Sequence, residues 1–207
     1  MLSQDLSQDT NCLKYRTYPK YKQFFDVGFS FFLLITLSPL LAIISILIKL
    51  DSKGPILFIQ KRVGKDSEIF NIYKFRTMYI DSPNNLPTSE ITEPGYYITG
   101  FGRFLRKSSI DELPQLWNIL RGEMSFIGPR PVIPVETELI ELRKSLYADQ
   151  ILPGVTGLSQ VMGRDDLPLN EKAYYDAQYF QNMSLVLDLK IILKTVRIII
   201  LSEHIRH

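Results

Sequence analysis

The sequence predicts an α+β protein in which a small mixed domain of helices and short strands is attached to a membrane anchor. Three observations predict it: a long uncharged apolar segment near the N-terminus, two strand-like runs after it, and amphipathic helical runs in the second half. At 207 residues the chain is long enough for one domain with its own core. We expect four parts: a polar and basic segment 1–22, a membrane segment 23–50, a cytoplasmic domain 51–184, and an interfacial helix with its tail, 185–207.

The composition argues against several classes of protein. The formal net charge is only +2, so nucleic-acid binding is not expected. A single cysteine, Cys12, cannot form an intramolecular disulfide and suits a reducing compartment. The two histidines, His204 and His207, lie at the C-terminus and form no zinc motif with cysteine. Histidine-based catalysis is therefore not expected.

The apolar segment from Phe24 to Leu50 is predicted to enter a membrane. Between Val27 and Ile48 there is no charge, and 15 of the 22 residues are Leu, Ile, Val or Phe. At about −0.3 to −0.6 kcal/mol each, these side chains favour the bilayer by about 4 to 9 kcal/mol.

Whether this segment crosses the bilayer is a separate question. Twenty-two helical residues reach about 33 Å, just enough for a hydrocarbon core of roughly 30 Å. However, Ser38-Pro39 lies near the middle, and basic residues flank both ends, whereas a crossing helix should show basic excess on one side. These features favour a re-entrant helix–break–helix at Ser38-Pro39 with both arms returning to the cytoplasmic face. A spanning helix with a proline kink and an uncleaved signal sequence remain alternatives.

Two strand-like runs begin the domain. Ile56–Gln60 and Ile69–Arg76 are predicted strands, and the turn at Val63-Gly64-Lys65 separates them. Lys74 and Arg76 point to the same side of the second strand, where a solvated face is the simple alternative to a binding role. The proline-rich span 81–95 is predicted to be a loop.

An acidic pair, Asp111-Glu112, follows the basic pair Arg106-Lys107 directly. Ser109 and Glu112 match a capping box, so we predict that a helix begins here and runs to Leu120. A helix N-terminus favours ionised acids and bound phosphate alike. An ionised aspartate beside arginines is a candidate nucleophile or metal ligand, although acids in a first turn are often only caps.

The second half adds an arginine between two prolines and two amphipathic or helical runs before the last segment. Prolines on both sides of Arg130 orient its guanidinium for bidentate phosphate binding, with a structural arginine as the alternative. Glu136–Leu146 and Leu169–Gln181 are predicted helices, and Pro153–Gly157 a turn-rich loop.

The last apolar segment, Leu185–Leu201, carries four charges and should not span a membrane. Lys190, Lys194 and Arg197 form one stripe on a helix. We predict an interfacial amphipathic helix on anionic lipid. Packing into the core with the stripe outward is the alternative.

Taken together, seven short motifs resemble those of the bacterial monotopic phosphoglycosyl transferases, also called initiating sugar transferases or undecaprenyl-phosphate sugar phosphotransferases. The resemblance covers nearly all of the chain from Lys22 to Leu201, and the order and spacing of the motifs make it specific. The motifs are Ser38-Pro39, Gln60–Gly64, Tyr73–Met78, Arg106–Leu116, Gly122–Pro131, Pro153–Gly157 and Leu187–Lys190.

The resemblance implies transfer of a sugar 1-phosphate from a UDP-sugar to polyprenyl (undecaprenyl) phosphate, with release of UMP, as the first membrane step of bacterial glycoconjugate synthesis. It implies Mg²⁺, a covalent intermediate on Asp111, and a monotopic anchor in the bacterial inner membrane that is re-entrant at Ser38-Pro39. Asp111 and Glu112 are the predicted metal ligands. We hypothesise that Glu112 holds the metal or takes a proton from the acceptor. The predicted phosphate-binding cations are Lys74, Arg76, Arg106, Arg130 and Arg62.

Three positions depart from the family pattern, which commonly has Asp at Glu123, a basic residue at Leu152 and Asn at Met162. The loss at Leu152 would affect a phosphate contact, and Met162 could alter the sugar pocket. Two other functions compete with transfer: a membrane-surface scaffold that binds polyprenyl phosphate without chemistry, and a UDP-sugar hydrolase. The sugar, the glycan pathway and a homodimer through membrane-facing helices stay open.

Overall fold

A computed structural model describes residues 18–82, 94–163 and 166–201 of the chain. Three predictions lie wholly or partly outside these residues: most of the N-terminal segment 1–22, most of the loop 81–95, and the tail after Leu201 with both histidines. The helices are α1 (Tyr18–Asp51), α2 (Pro94–Tyr97), α3 (Gly100–Ser108), α4 (Gln115–Leu120), α5 (Thr137–Ser145), α6 (Leu158–Met162), α7 (Leu169–Asn182) and α8 (Leu185–Leu201). The strands are β1 (Leu57–Val63), β2 (Ile69–Phe75), β3 (Ser125–Ile127) and β4 (Gly154–Thr156).

The predicted α+β class is confirmed, since the described residues form helices around two small sheets. Strands β1 and β2 pair antiparallel, with Leu57 opposite Phe75 and Val63 opposite Ile69. Strands β3 and β4 pair in parallel, with Ser125 opposite Gly154.

The turn-rich loop predicted at 153–157 is therefore wrong, because its centre is strand β4. Gly154 allows this pairing, since a Cβ there would lie 2.1 Å from the backbone nitrogen of Gly128. The glycine that suggested a turn is needed for close approach of two backbones.

Helix α1 continues through Ser38-Pro39 without interruption. A proline in a helix leaves the carbonyl four residues earlier without its N–H donor, here that of Ile35. The Ser38 hydroxyl donates to that carbonyl at 2.7 Å and replaces the missing bond. The helix is therefore continuous at Ser38-Pro39, where the sequence predicted a break. A continuous helix does not by itself show whether the segment crosses the membrane or returns.

One face of α1 packs on the domain along most of the helix. Leu33, Leu34 and Leu37 contact a core around Ile119 of α4. Beyond Pro39, Leu41, Ile44 and Ile48 contact a second core that contains Leu105 of α3 and Phe75 of β2. The opposite face exposes large apolar side chains, and the helix is long and apolar enough to cross a membrane.

A buried polar network joins the N-terminal turns of α1 to α8. Lys22 is only 7% exposed, and its ammonium lies 3.2 Å from the carboxylates of both Asp26 and Asp188. The Tyr179 hydroxyl also donates to Asp188 at 2.7 Å. Burying charges is costly unless they are paired and hydrogen-bonded, and here they are.

Helix α8 has the predicted bounds and presents three faces. Asp188, Ile191 and Ile198 are buried against the domain. The basic stripe of Lys190, Lys194 and Arg197 is exposed. A separate apolar face is exposed as well, at Leu185, Val186, Leu189, Leu193, Val196 and Ile200. Helix α8 therefore packs on the domain while it keeps an amphipathic outer surface.

Candidate active site

The acidic pair Asp111-Glu112 lies in a 3₁₀ turn, Ile110–Glu112, between α3 and α4. Ser109 has a left-handed backbone (φ 56°) and ends α3, because its N–H donates to the carbonyl of Arg106. Its side chain makes no capping hydrogen bond, so the predicted capping box is wrong. The single helix predicted from Ile110 to Leu120 is likewise wrong, since α4 begins anew after Pro114, whose ring suits a helix start.

Glu112 is held by cations from two other elements. Its Oε1 accepts a hydrogen bond from Nζ of Lys74 on β2 at 2.6 Å, and NH1 of Arg130 lies 3.9 Å from the same oxygen. Lys74 and Glu112 are 38 positions apart in the chain. Folding thus brings together two residues that the sequence analysis placed in separate motifs.

Asp111 has a perturbed acidity. Burial, together with the adjacent Glu112 carboxylate, raises the pKa of Asp111 to about 6. Positive charge on Lys74, Arg106 and Arg130 opposes this rise. A partly buried carboxylate among cations is poised to be ionised near neutral pH, where it can act as a nucleophile.

Arg106 also faces the acidic pair. Burial lowers the pKa of its guanidinium, and the charge of Asp111 counteracts that effect. One guanidinium nitrogen lies 3.7 Å from the sulfur of Met78. Among the predicted cations, Lys74, Arg106 and Arg130 therefore converge on Asp111 and Glu112.

Arg62 and Arg76 have other main contacts. Arg62 donates from NH1 to the Pro131 carbonyl at 3.1 Å and from NH2 to Oε1 of Gln60 at 2.6 Å. Burial, with the nearby charge of Arg130, lowers the pKa of Arg62 to about 10. Arg62 lies near the site, but its NH1 and NH2 groups donate to other protein groups.

Arg76 binds backbone carbonyl groups at the end of α1. Its NH2 donates to the Ser52 carbonyl at 2.7 Å and its NH1 to the Lys53 carbonyl at 2.9 Å. These carbonyls follow the end of α1, where a cation is favourable. The charge that acts on Arg76 is Asp51 and not the acidic pair. Arg76 is therefore a buried support for the anchor helix.

These contacts place a carboxylate pair among converging cations. Comparison with known proteins identifies the family of the chain. The family model described as bacterial sugar transferase matches residues 17–202. The chain belongs to the bacterial sugar transferase family. Sugar transfer as the enzyme class, predicted from the motifs, is thereby confirmed.

Several relatives of this bacterial sugar transferase have descriptive names. An undecaprenyl-phosphate glucose phosphotransferase of Komagataeibacter xylinus is 40% identical over 88% of this chain, which spans 36% of that relative. The exopolysaccharide production protein ExoY of Sinorhizobium fredii is 38% identical over 88% of the chain and 86% of the relative. An undecaprenyl-phosphate galactose phosphotransferase of Salmonella typhimurium is 35% identical, and the chain spans 40% of its length.

Asn118 of the bacterial sugar transferase supports the strand that carries Lys74, a role that the sequence analysis missed. It is fully buried on α4, and its Oδ1 accepts from the N–H of Tyr73 at 3.1 Å. Its Nδ2 donates to the Asn71 carbonyl at 2.7 Å and to Glu123 at 2.8 Å. Asn118 thus pairs the outer edge of β2 and fixes α4 against the strand that carries Lys74. The available sequence signal was an amide side chain within an otherwise apolar helical run, because a buried amide must find hydrogen-bond partners.

The three departures from the family pattern differ in their surroundings. Glu123 is bonded to Asn118 and to Arg121 at 3.0 Å, so its longer side chain still serves the packing of α4. Met162 is exposed, and its sulfur lies 3.7 Å from Nζ of Lys194 on α8. The Leu152 carbonyl lies beside Gly128.

The donor set of the bacterial sugar transferase fits Mg²⁺ shared with a substrate. Within residues 18–82, 94–163 and 166–201 no group of three His, Cys, Asp or Glu side chains could hold a metal. Magnesium often takes only one or two protein carboxylates and completes its shell with water and substrate phosphates. Asp111 and Glu112 offer such a pair.

A cavity of about 1380 Å³ adjoins these residues. Its polar wall includes Lys74, Arg106, Asp111, Glu112 and Arg130. Its apolar wall comes from α1 and α8, with Phe25, Phe29, Leu33, Leu189 and Ile192. Charged and apolar side chains therefore line the same cavity.

Proposed function

We propose that the protein transfers a sugar 1-phosphate from a UDP-sugar to polyprenyl (undecaprenyl) phosphate and releases UMP. The observation that carries this proposal is the acidic pair Asp111-Glu112, which lies among Lys74, Arg106 and Arg130 at a cavity with an apolar wall. Transfer of a phosphoryl group needs charge neutralisation more than proton transfer, and the three cations supply it.

The first half of the reaction forms a covalent intermediate on Asp111. A carboxylate oxygen attacks the β-phosphorus of the donor, and the bond from that phosphorus to the oxygen bridging it to UMP breaks. UMP leaves with the electron pair, while the cations stabilise the charge on the phosphate oxygens. Magnesium, when bound by Asp111 and Glu112, would neutralise further charge on the diphosphate.

In the second half, a phosphate oxygen of the polyprenyl phosphate attacks the same phosphorus. The bond to Asp111 breaks, and the carboxylate is regenerated. A two-step path suits two substrates that differ so much, because one site can meet the soluble donor and the lipid in turn.

Asp111 is favoured over Glu112 as the nucleophile. Glu112 is engaged by Lys74 at 2.6 Å and approached by Arg130. A carboxylate fixed in this way suits a positioning or metal-binding role. Asp111 has the acidity of a group that becomes ionised close to neutral pH.

We propose further that α1 dips into the cytoplasmic face of the bacterial inner membrane and returns, so that the protein is monotopic. Support comes from packing: residues on both sides of Pro39, such as Leu37 and Ile44, contact the same domain. A helix that left the domain to cross the bilayer would lose one of these contacts. The exposed basic stripe of α8 suits the headgroups of anionic lipids.

The test is a panel of UDP-sugars with undecaprenyl phosphate and Mg²⁺, scored for UMP and for lipid-linked product. We expect one or a few donors to release UMP, and mass spectrometry to detect a phosphosugar adduct on Asp111 when the acceptor is omitted. Asp111→Asn should abolish both signals. Substantial turnover by this variant would refute the nucleophile assignment.

The same panel separates the competing functions. A UDP-sugar hydrolase would release UMP without lipid-linked product, and a glycosyltransferase that attacks the anomeric carbon would release UDP. A scaffold that only binds polyprenyl phosphate would release no nucleotide.

A further inference from the structure

The loop that carries Arg130 is held by its carbonyl groups. Pro129 and Pro131 have no N–H, so the loop has few backbone donors of its own. Four consecutive carbonyls accept hydrogen bonds from outside the loop. The bonds are Gly154 N to Pro129 O at 2.9 Å, Arg143 NH1 to Arg130 O at 2.9 Å, Arg62 NH1 to Pro131 O at 3.1 Å and Val63 N to Val132 O at 2.8 Å.

The bond to the Arg130 carbonyl comes from a buried side chain with two roles. Arg143 on α5 is 7% exposed, and its Nε and NH2 lie 2.9 and 2.7 Å from Oδ2 of Asp176 on α7. The third nitrogen, NH1, reaches the Arg130 carbonyl. A planar guanidinium can serve a carboxylate and a carbonyl at once, whereas a lysine ammonium has no such fork.

Asp176 is fixed in turn. It is 1% exposed, and its Oδ1 accepts a hydrogen bond from the Ser159 hydroxyl on α6 at 2.8 Å. Ser159, Asp176 and Arg143 are all buried. The last contact in this series is with the backbone carbonyl of Arg130, whose side chain faces Glu112. These hydrogen bonds therefore connect α6, α7 and α5 to the loop that carries Arg130.

We propose that Arg143 and Asp176 are positioning residues that set the orientation of Arg130 toward substrate phosphate. This inference rests on the proposed function for the role of Arg130. The competing explanation is a structural one, in which the pair only ties α5 to α7. A structural tie would affect stability but would not act through Arg130 in particular.

A double-mutant cycle distinguishes these explanations. The variants are Arg143→Lys, Arg130→Ala and the combination, and the probe is UDP, whose affinity is measured by calorimetry on the detergent-solubilised full chain. We expect Arg143→Lys to weaken UDP binding by about tenfold, because a small displacement of a phosphate-binding group is costly. In the Arg130→Ala background the same substitution should have almost no further effect. Equal losses in both backgrounds would overturn the inference.

Two further variants keep the test sound. Arg103→Lys makes the same substitution at an exposed position on α3 and should leave UDP affinity unchanged. If Arg143→Lys does not fold, as judged by circular dichroism and thermal unfolding, Ser159→Ala removes only the hydrogen bond from an uncharged hydroxyl to Asp176. It should give a smaller loss that also vanishes without Arg130, and a loss that persists there would contradict the inference.

Release of UMP, measured in parallel, tests the proposed function separately. Non-additive UDP binding without UMP release from any donor would refute the proposed function and support the positioning role. Additive losses with normal wild-type turnover would do the reverse. A wild-type protein that does not bind UDP would overturn both.

Discussion

The acidity of Asp111 gives the sharpest prediction, which is the pH dependence of the first half-reaction. The folded protein raises the pKa of this carboxyl to about 6, chiefly by burial. Only the ionised form attacks phosphorus, so activity should fall as the pH falls through 6. With that pKa, about 90% of Asp111 is ionised at pH 7 and about 10% at pH 5, so the rate should drop by nearly tenfold.

Removal of a neighbouring cation should move this pH profile. Positive charge on Lys74 favours ionised Asp111, so Lys74→Met should shift the acidic limb upward by about one pH unit. Lys107→Met removes an exposed charge nearby in sequence and serves as the matched control. We expect the control to leave the profile in place.

The assay is single-turnover release of UMP between pH 4.5 and 8, with enzyme in excess of donor and no acceptor. The acceptor is omitted because a phosphate monoester itself titrates near pH 6 and would obscure the limb. An acidic limb below pH 4.5, or one that Lys74→Met leaves unmoved, would refute the reasoning.

Three other predictions concern stability and the membrane. Because folding raises the pKa of Asp111, the ionised carboxylate destabilises the fold above pH 6, and this cost disappears below about pH 4. Asp111→Asn should therefore raise stability at pH 7.5 by up to about 3 kcal/mol but not at pH 4, and an equal Tm difference at both would contradict this. Pro39→Ala restores an N–H donor to the helix and should straighten the anchor and lower activity; full activity with a cytoplasmic C-terminal tag would show that the proline matters little. Replacement of Lys190, Lys194 and Arg197 by Gln should remove about 3 kcal/mol of attraction to anionic lipid, so faster UMP release in anionic than in zwitterionic nanodiscs should be lost; a persistent difference would exclude the stripe as the cause.

Several features follow from local sequence because their causes are local. The apolar run that becomes α1 and the charged apolar run that becomes α8 are determined by hydropathy and helical spacing. The acidic pair beside Arg106 stood out because opposite charges and a motif occur within a few residues. The two strands of the β1–β2 hairpin were also predictable from β-branched and aromatic residues around a turn.

Other features were decided only by tertiary structure, because they depend on atoms far apart in the chain. Lys74 and Arg76 look equivalent on one strand, yet folding places Lys74 on Glu112 and Arg76 at the end of α1. From the sequence, Gly154 indicated a turn. In the structure it pairs with β3, where the close approach of the two backbones leaves no space for a Cβ. The support of Arg130 by Arg143 likewise involves two helices and a loop. Periodicity reports which face of an element is apolar, whereas contact partners depend on how whole elements pack, and that information is not local.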